Sequence, residues 1–372
     1  MKIEAKSISE VQITRKGQQR LASGHLWIYR SDLEESSERS KKGKGSSKQQ
    51  LEPGSIVEVV GYNGKTLGRA LYSSKSQIAL RMLTSRDEII DRGFWKRRLE
   101  MALALRKQVV IDAEAYRVVH GEADLLPSLI VDKYKDYLVI QMLSQGMDSL
   151  REVWVELLSE IFQPKAIVER NDVKVRKLEG LSEQVAVLAG TAPDEITVNQ
   201  NGLLFTVDLL RGQKTGLFLD QRENHATAMR YAKGRALDCF TFVGGFALHM
   251  AKSAETVLGL DVSEVAIAQA ERNAKLNRLN VTFEAVNVFD RLRNFYDSEE
   301  KFDTVVLDPP AFAKNREAVE GATRGYKEIN MRAMKLIKPG GILITCTCSF
   351  HVSEELFLGI LQSAAADAGR QV

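Results

Sequence analysis

Residues 235–261 read RALDCFTFVGGFALHMAKSAETVLGLD, and this segment decides the predicted fold. It contains two short hydrophobic strands, each with an aspartate at its end, and a glycine turn and a helix lie between them. The same alternation continues towards the carboxyl terminus through VTFEAV, FDTVVLD and GILITC. Repeated strand and helix units of this kind predict an α/β fold with a doubly wound parallel sheet.

The first two strands of this sheet carry a predicted cofactor site. Asp238 and Asp261 end the strands, and Gly244 lies in the turn between them. An acid at the tip of the second strand can bind both hydroxyls of a ribose, and a glycine lets a ligand approach the backbone. Because the turn lacks the glycine pattern that holds a pyrophosphate, the sequence favours S-adenosylmethionine over NAD.

Further cofactor contacts are predicted beside these strand ends. They are Phe240, Val262, Asn287, Asp290 and Asp308. Asn287 and Asp290 follow the third strand, where a helix cap or a turn explains them equally well. Asp308 ends the fourth strand, and the two prolines after it cannot extend a ladder, so the chain must leave the sheet there.

The segment Thr345-Cys346-Thr347-Cys348-Ser349 follows the fifth strand and suggests a nucleophile. A thiolate both attacks and leaves readily, so a cysteine at this end of the sheet suits covalent catalysis. We choose Cys348 because it is nearer the carboxyl end, with Cys346 as the alternative. Their spacing of two residues is compatible with both thiols facing the same side of a strand. The competing interpretation of any one cysteine is a small buried hydrophobic residue.

Charge is distributed unevenly along the chain. Residues 1–108 contain 22 Lys and Arg against 12 Asp and Glu, although the whole chain has a formal net charge of only +3. A basic amino-terminal part predicts a polyanionic partner, and RNA is the natural candidate. The competing interpretation is that residues 34–50, rich in Ser, Lys and Gly, form only a mobile basic loop. The predicted RNA contacts are Lys16, Arg20, His25, Arg222 and Lys314.

Three domains are predicted from the order of these patterns. Residues 1–85 contain short β segments at the spacing of a small barrel. Residues 86–190 begin with a connector helix, Phe94 to Val110, and continue as a central α+β domain. Residues 191–372 contain a hairpin and then the α/β domain.

Several motifs resemble those of a known enzyme family. The segments DCFTFVGGFALHMA, LDPPAFAK and PGGILITCTCS, together with KGQQRLASGHLWIYRSDLE and GQKTGLFLDQRENH, are similar to those of bacterial 23S ribosomal RNA 5-methylcytosine methyltransferases with an amino-terminal PUA barrel. This resemblance covers nearly the whole chain. It implies a Rossmann-like class I methyltransferase domain that uses S-adenosylmethionine, a PUA-like RNA-binding barrel, and Cys348 as the nucleophile.

One departure concerns proton removal. The better-known two-cysteine RNA cytosine methyltransferases have a second cysteine in the fourth-strand motif, whereas DPPAFAK has none. The base that takes the proton from carbon 5 is therefore left open, and Asp308 is assigned to hold the cytosine. Two alternatives remain: methylation of an exocyclic amine, to which the D-P-P motif also points, and an RNA-binding or ribosome-assembly protein without activity.

The remaining expectations concern location and assembly. No membrane span or signal core is evident, and three cysteines in 372 residues favour a reducing compartment, so we predict a cytoplasmic protein without a metal site. Class I methyltransferase sheets normally continue with two more strands after the cysteine strand, and none is predicted here. We expect a neighbouring copy, the second chain of a homodimer or an insertion to cover that strand's edge.

Overall fold

The computed structural model describes residues 8–34, 39–40, 49–212, 215–313 and 315–371. Within it the chain forms two compact units. One comprises Met1–Val198 and Val207–Leu219, and the other Asn199–Thr206 and Asp220–Val372. Most of the predicted mobile loop lies outside the described residues, and the three predicted domain boundaries remain a proposal. No helix in the described part of the chain is long and apolar enough to cross a membrane.

The amino-terminal part of the first unit is mainly β structure. Its elements are β1 Ser9–Gln12, α1 Arg15–Ala22, β2 Trp27–Tyr29, β3 Arg39–Ser40, β4 Gln49–Gln50, β5 Ile56–Val60, β6 Thr66–Tyr72 and β7 Ile78–Thr84. Five of the strands form one sheet in the order β1-β5-β6-β7-β2, and β3 pairs with β4. The β segments were predicted, but α1 was not. Thr14 caps this helix by accepting a hydrogen bond from the Gly17 N–H at 3.2 Å.

A second sheet of the same unit has the order β12-β11-β10-β9-β8. Its strands are β8 Ala115–His120, β9 Leu129–Tyr134, β10 Tyr137–Met142, β11 Ala166–Arg170 and β12 Val185–Gly190, and its helices are α2 Arg92–Val109, α3 Gln145–Ser149, α4 Arg151–Phe162 and α5 Val175–Leu178. The predicted connector helix is α2, which buries Trp95 against Trp154 of α4. A buried ion pair of 2.8 Å joins Arg81 of β7 to Glu179 after α5. Because an unpaired buried charge is costly, this contact ties the two sheets together.

The second unit contains the predicted parallel sheet. A hairpin, β13 Ile196–Gln200 and β14 Leu203–Val207, precedes it, and its elements are α6 Arg222–Tyr231, β15 Arg235–Cys239, α7 Gly245–Met250, β16 Thr256–Asp261, α8 Glu264–Leu276, β17 Thr282–Ala285, α9 Val288–Asp297, β18 Phe302–Leu307, α10 Val319–Leu336, β19 Ile337–Thr345 and α11 Glu354–Asp367. The order is β17-β16-β15-β18-β19, and every pairing is parallel. The strand order reverses between β15 and β18, where such sheets bind ligands at their carboxyl ends.

Strand β19 lies at one edge of this sheet and pairs with β18. Among the described residues, no strand pairs with its outer side. No inserted strand in the described ranges covers this edge, and cover by a neighbouring copy or a homodimer partner stays a prediction.

Candidate functional site

Asp238 lies at the point where the strand order reverses and is fully buried. Its Oδ2 accepts hydrogen bonds from the Thr241 hydroxyl at 2.5 Å and from the Ala247 N–H at 2.9 Å. Its Oδ1 is also buried and has no hydrogen-bond partner within the described part of the chain. Burial raises the pKa of this carboxyl group to about 7, and the negative charges of Asp308 and Asp261 act in the same direction. An unpaired buried acceptor of this kind is suited to a cationic ligand.

The turn after β15 has an unusual backbone. Phe240 and Phe242 have positive φ angles of 67° and 50°, and Gly244 has a φ of 89°. Non-glycine residues in this region are strained, and such strain concentrates at functional sites. The turn directs the Phe242 N–H to Oδ2 of Asp261 at 2.9 Å, while Thr241 bonds to Asp238. The strained turn therefore links the two predicted cofactor carboxylates.

Asp261 ends β16 at the same edge of the sheet. Its Oδ1 accepts a hydrogen bond from the Ser263 N–H at 2.9 Å, and Ser263 caps α8. A carboxylate has about four acceptor sites, so these bonds leave capacity for a ligand. Val262 lies between the two residues and is 74% exposed. An exposed valine next to a carboxylate offers an apolar surface for a ligand ring.

Asn287 begins α9, as the cap interpretation predicts. Its side-chain oxygen accepts hydrogen bonds from the Phe289 N–H at 2.9 Å and the Asp290 N–H at 3.3 Å. Neither bond uses its amide nitrogen. Asp290 lies in the first turn of the helix and is exposed. The capping role is therefore observed, and the cofactor role of both residues stays a prediction.

A pair of buried histidines lies beneath the glycine turn, and the sequence did not suggest it. The His225 and His249 rings have centroids 5.2 Å apart. Burial lowers the pKa of His225 well below its usual value and that of His249 to about 4. A Cβ atom at Gly245 would lie 2.6 Å from the His225 ring, so only glycine fits there.

Asp308 follows β18 and is held by a residue that we did not predict. Its Oδ2 accepts a hydrogen bond from Nε2 of Gln221 at 2.9 Å. Oε1 of Gln221 in turn accepts a bond from Asn224 at 2.5 Å. A fixed amide donor orients the carboxylate at the carboxyl edge of the sheet.

The three cysteines of the chain have different environments. Cys239 is buried, and burial raises its pKa well above the usual value. Cys346 is largely buried against a cluster that contains Phe246, and burial together with the charge of Asp308 raises its pKa to about 12. Cys348 is exposed, with its Sγ 3.6 Å from the carbonyl oxygen of Pro309. Of the three, Cys348 is the most accessible to a substrate.

The two cysteines of the TCTCS segment lie outside the strand whose alternation suggested a common face for their thiols. Strand β19 ends at Thr345, which pairs with Leu307, the last residue of β18. The chain beyond Leu307 enters Pro309 and Pro310 and offers no further strand partner. Both cysteines therefore lie beyond the ladder, where strand alternation no longer applies.

The predicted RNA contacts divide between exposed and structural positions. Lys16 and His25 are exposed. Arg20 is partly buried and donates from Nε to Asp32 at 3.0 Å. Arg222 is 7% exposed and pairs with its neighbour Glu223, which leaves little of its guanidinium for a phosphate. Lys314 lies outside the described residues.

Comparisons with known proteins place the chain in a family. Residues 170–368 match the family described as S-adenosylmethionine-dependent methyltransferase, and residues 11–85 match the PUA-like domain. A protein named ribosomal RNA large subunit methyltransferase I from Tolumonas auensis is 42% identical over 371 residues, which cover 97% of this chain and 91% of the relative. The chain belongs to the S-adenosylmethionine-dependent methyltransferases. A protein of the same name from Vibrio cholerae is 42% identical, and the match covers 88% of this methyltransferase and 86% of the relative. Another from Shewanella amazonensis is 41% identical, and the match covers 93% of this methyltransferase and 87% of the relative.

Solved structures agree on the fold of this methyltransferase. One, a methyltransferase complexed with SAH, has a TM-score of 0.80 at 17% identity and covers 96% of this chain and 90% of its own. A SAM-dependent methyltransferase from Streptococcus mutans has a TM-score of 0.78 at the same identity and the same coverage. The predicted Rossmann-like methyltransferase domain, the PUA-like domain and the cofactor S-adenosylmethionine are confirmed.

Proposed function

We propose that this methyltransferase modifies carbon 5 of a cytosine in 23S ribosomal RNA through a covalent adduct with Cys348. The relatives carry the name ribosomal RNA large subunit methyltransferase I, and a PUA-like domain with a basic amino-terminal part suits an RNA substrate. The observation that carries the cytosine-5 proposal is the exposed thiol of Cys348 beside the D-P-P segment.

The cofactor residues fit S-adenosylmethionine group by group. Asp238 Oδ1, the buried acceptor without a partner, suits the ammonium group of the methionine part. Asp261 at the tip of β16 suits the ribose hydroxyls, and exposed Val262 suits a face of the adenine. Phe240 and Gly244 shape the turn against which the ligand lies. Asn287 and Asp290 flank the start of α9 and complete the proposed site.

The chemistry follows from a thiolate at this position. The sulfur adds to carbon 6 of the cytosine, and the electron pair of the double bond moves to carbon 5. Carbon 5 then attacks the electrophilic methyl group that S-adenosylmethionine would supply, and the sulfur–methyl bond breaks to release S-adenosylhomocysteine. A base then removes the proton from carbon 5, the double bond re-forms, and the thiolate leaves. We assign Asp308, held by Gln221, to hold the cytosine ring or its exocyclic amine.

The exocyclic-amine alternative has weaker support. In that chemistry an aromatic residue after D-P-P must be free to contact the target base. Here the aromatic residue is Phe312, whose ring packs against Tyr326 at a centroid distance of 4.6 Å and against Phe289 at 6.0 Å. Those contacts hold the partly buried ring against the domain core.

Substitution of the two nearby cysteines tests the proposal. We expect Cys348→Ala to abolish methyl transfer to 23S ribosomal RNA and to leave the affinity for S-adenosylhomocysteine unchanged. The matched variant Cys346→Ala should remain active, because the raised pKa of Cys346 keeps it a thiol. RNA with 5-fluorocytidine should trap an adduct, because fluorine replaces the carbon 5 hydrogen that the base would remove. An active Cys348→Ala variant, or a methyl group found on nitrogen by mass spectrometry, would refute the proposal.

Mass spectrometry of 23S ribosomal RNA from cells with and without the gene provides an independent check. We expect loss of one 5-methylcytosine when the gene is deleted and its return when the wild-type gene is restored. Restoration of the 5-methylcytosine by the Cys348→Ala variant would contradict the catalytic role of Cys348 but not the choice of 23S ribosomal RNA as the substrate. An unchanged pattern in the deletion strain would remove ribosomal RNA as the target.

A further inference from the structure

A buried tyrosine of helix α10 lies beneath the segment that carries Cys348. Tyr326 is fully buried, and its hydroxyl accepts a hydrogen bond from the Thr347 hydroxyl at 2.9 Å. The same tyrosine oxygen lies 3.0 Å from Oγ of Ser349, in a bond that either hydroxyl can donate. One phenol therefore contacts both residues that flank Cys348.

The network also reaches the segment after β18. Oγ of Ser349 accepts a hydrogen bond from the Ala313 N–H at 3.1 Å, and the Ser349 N–H donates to Oγ1 of Thr347 at 3.3 Å. Ala313 belongs to the segment that follows Asp308 and the two prolines. The cysteine segment and the D-P-P segment are thus joined through side chains rather than through a strand ladder.

The position of this network explains why it is needed. The Cys346 N–H bonds to the carbonyl of Leu307 at 2.8 Å, one residue beyond the last pair of the ladder. Beyond it, the backbone of residues 347–349 has no strand partner, and hydroxyl side chains take over. The tyrosine ring is itself held by Phe312 and Phe357, at centroid distances of 4.6 and 5.4 Å.

We propose that Tyr326 is a positioning residue for Cys348: its hydroxyl bonds to Thr347 and Ser349 and thereby holds the thiol for attack on the target base. This inference rests on the proposed function and concerns a residue that lies outside both the D-P-P segment and the TCTCS segment. Small displacements of a reacting atom are costly, since a shift of about 1 Å can reduce a rate by about 100-fold.

The variant Tyr326→Phe tests this role because it removes only the hydroxyl and keeps the ring packing. We expect kcat for methyl transfer, and the rate of adduct formation with 5-fluorocytidine RNA, to fall about 10-fold to 100-fold. The KM for RNA and the affinity for S-adenosylhomocysteine should stay within about twofold, because no cofactor or surface group changes. Tyr231→Phe is the matched control, since Tyr231 is 55% exposed and lies at the end of α6.

A second set of variants separates positioning from general destabilisation. Thr347→Val removes the hydroxyl that donates to Tyr326, whereas Thr347→Ser keeps it, so the serine variant should retain most of the activity. If Tyr326 acts through Thr347, combining Tyr326→Phe with Thr347→Val should cost little more kcat than either change alone. A merely structural loss would instead weaken cofactor binding along with kcat in each single variant.

The outcomes distinguish this inference from the proposed function. Wild-type kcat and adduct formation in Tyr326→Phe, with Cys348→Ala inactive, would overturn the positioning role and leave the cysteine chemistry intact. A fall in the affinity for S-adenosylhomocysteine parallel to the fall in kcat would overturn it as well. An active Cys348→Ala variant would overturn the proposed function, and the positioning role with it.

Discussion

The carboxylate of Asp238 lends itself to a quantitative test, because the fold holds it in an environment that opposes its charge. Its pKa is raised to about 7 in the folded protein, against an ordinary value of 3.8. A raised carboxyl pKa means that the folded state binds the proton more tightly than the unfolded state. The resulting destabilisation is absent below about pH 4, grows between about pH 4 and pH 7, and is complete above about pH 7.

The size of this destabilisation follows from the shift. About three pKa units at about 1.4 kcal/mol each give ~4 kcal/mol of lost stability at pH 8. In Asp238→Asn, the amide oxygen can accept both hydrogen bonds that Oδ2 accepts now. The buried amide nitrogen then has no acceptor, which costs ~1–3 kcal/mol. Without ligand, the variant should therefore be more stable than the wild type at pH 8 by ~1–3 kcal/mol.

The assay is thermal unfolding at pH 5 and pH 8, followed on the transition that S-adenosylhomocysteine raises in the wild type. That transition reports the cofactor-binding unit, which matters because a chain of several domains need not unfold in one step. The stabilising effect of Asp238→Asn should be present at pH 8 and should shrink or reverse at pH 5. Asp297→Asn, at the exposed end of α9, is the control and should change stability by less than ~1 kcal/mol at either pH.

The same substitution should lower the affinity for the cofactor although it raises the stability of the fold at pH 8. Asp238→Asn should lose most of its affinity for S-adenosylhomocysteine, because an amide cannot neutralise an ammonium group. In the wild type, a pKa of about 7 predicts about tenfold tighter binding at pH 8 than at pH 6, with proton release on binding at pH 6. An Asp238→Asn variant that binds the ligand normally, or that is less stable than the wild type at pH 8, would refute the reasoning.

Three further predictions concern the turn, the substrate surface and the barrel. Gly245→Ala should lower both the melting temperature and the cofactor affinity, because its methyl group would lie 2.6 Å from the His225 ring. The control Gly321→Ala in α10 meets no atom within 4 Å and should lower neither quantity when both are measured by calorimetry. Phe350 is 94% exposed two residues after Cys348, so Phe350→Ala should raise the KM for RNA several-fold while Phe350→Tyr preserves it, because aromatic rings stack on bases. Lys16→Glu should weaken RNA binding and reduce the slope of its salt dependence by about one in a filter-binding titration; an unchanged slope would remove this lysine from the interface.

The sequence predicts the parallel sheet and its strand ends well because both depend on local pattern. An apolar run followed by an acid marks the end of a buried parallel strand, and Asp238, Asp261 and Asp308 all lie at such ends. The same logic predicts that these ends meet at one edge of the sheet. Helix α1 was missed although Thr14 is a good capping residue, because the surrounding segments suggested β structure alone.

The interior of the site depends on contacts between distant segments, and local patterns do not show these. Gln221 reaches Asp308 across 87 residues, and Tyr326 reaches Ser349 across 23. Nothing about a glutamine before a helix or a tyrosine within one marks it as a partner of a loop elsewhere. Asn287 illustrates the converse, since its sequence position suits a cofactor contact while its oxygen caps a helix.

These contacts share a physical cause in the two prolines after Asp308. Proline lacks the N–H that a ladder requires, so β18 stops at Leu307 and β19 loses its partner after Thr345. Loss of the ladder frees the chain at the sheet edge to present a carboxylate and a thiol, but it also removes the bonds that would hold them. The fold restores that order with side chains, Gln221 for Asp308 and Tyr326 for the segment around Cys348. If this reasoning holds, removal of the Gln221 amide or of the Tyr326 hydroxyl should impair the chemistry more than the stability, because neither polar group takes part in the strand ladder.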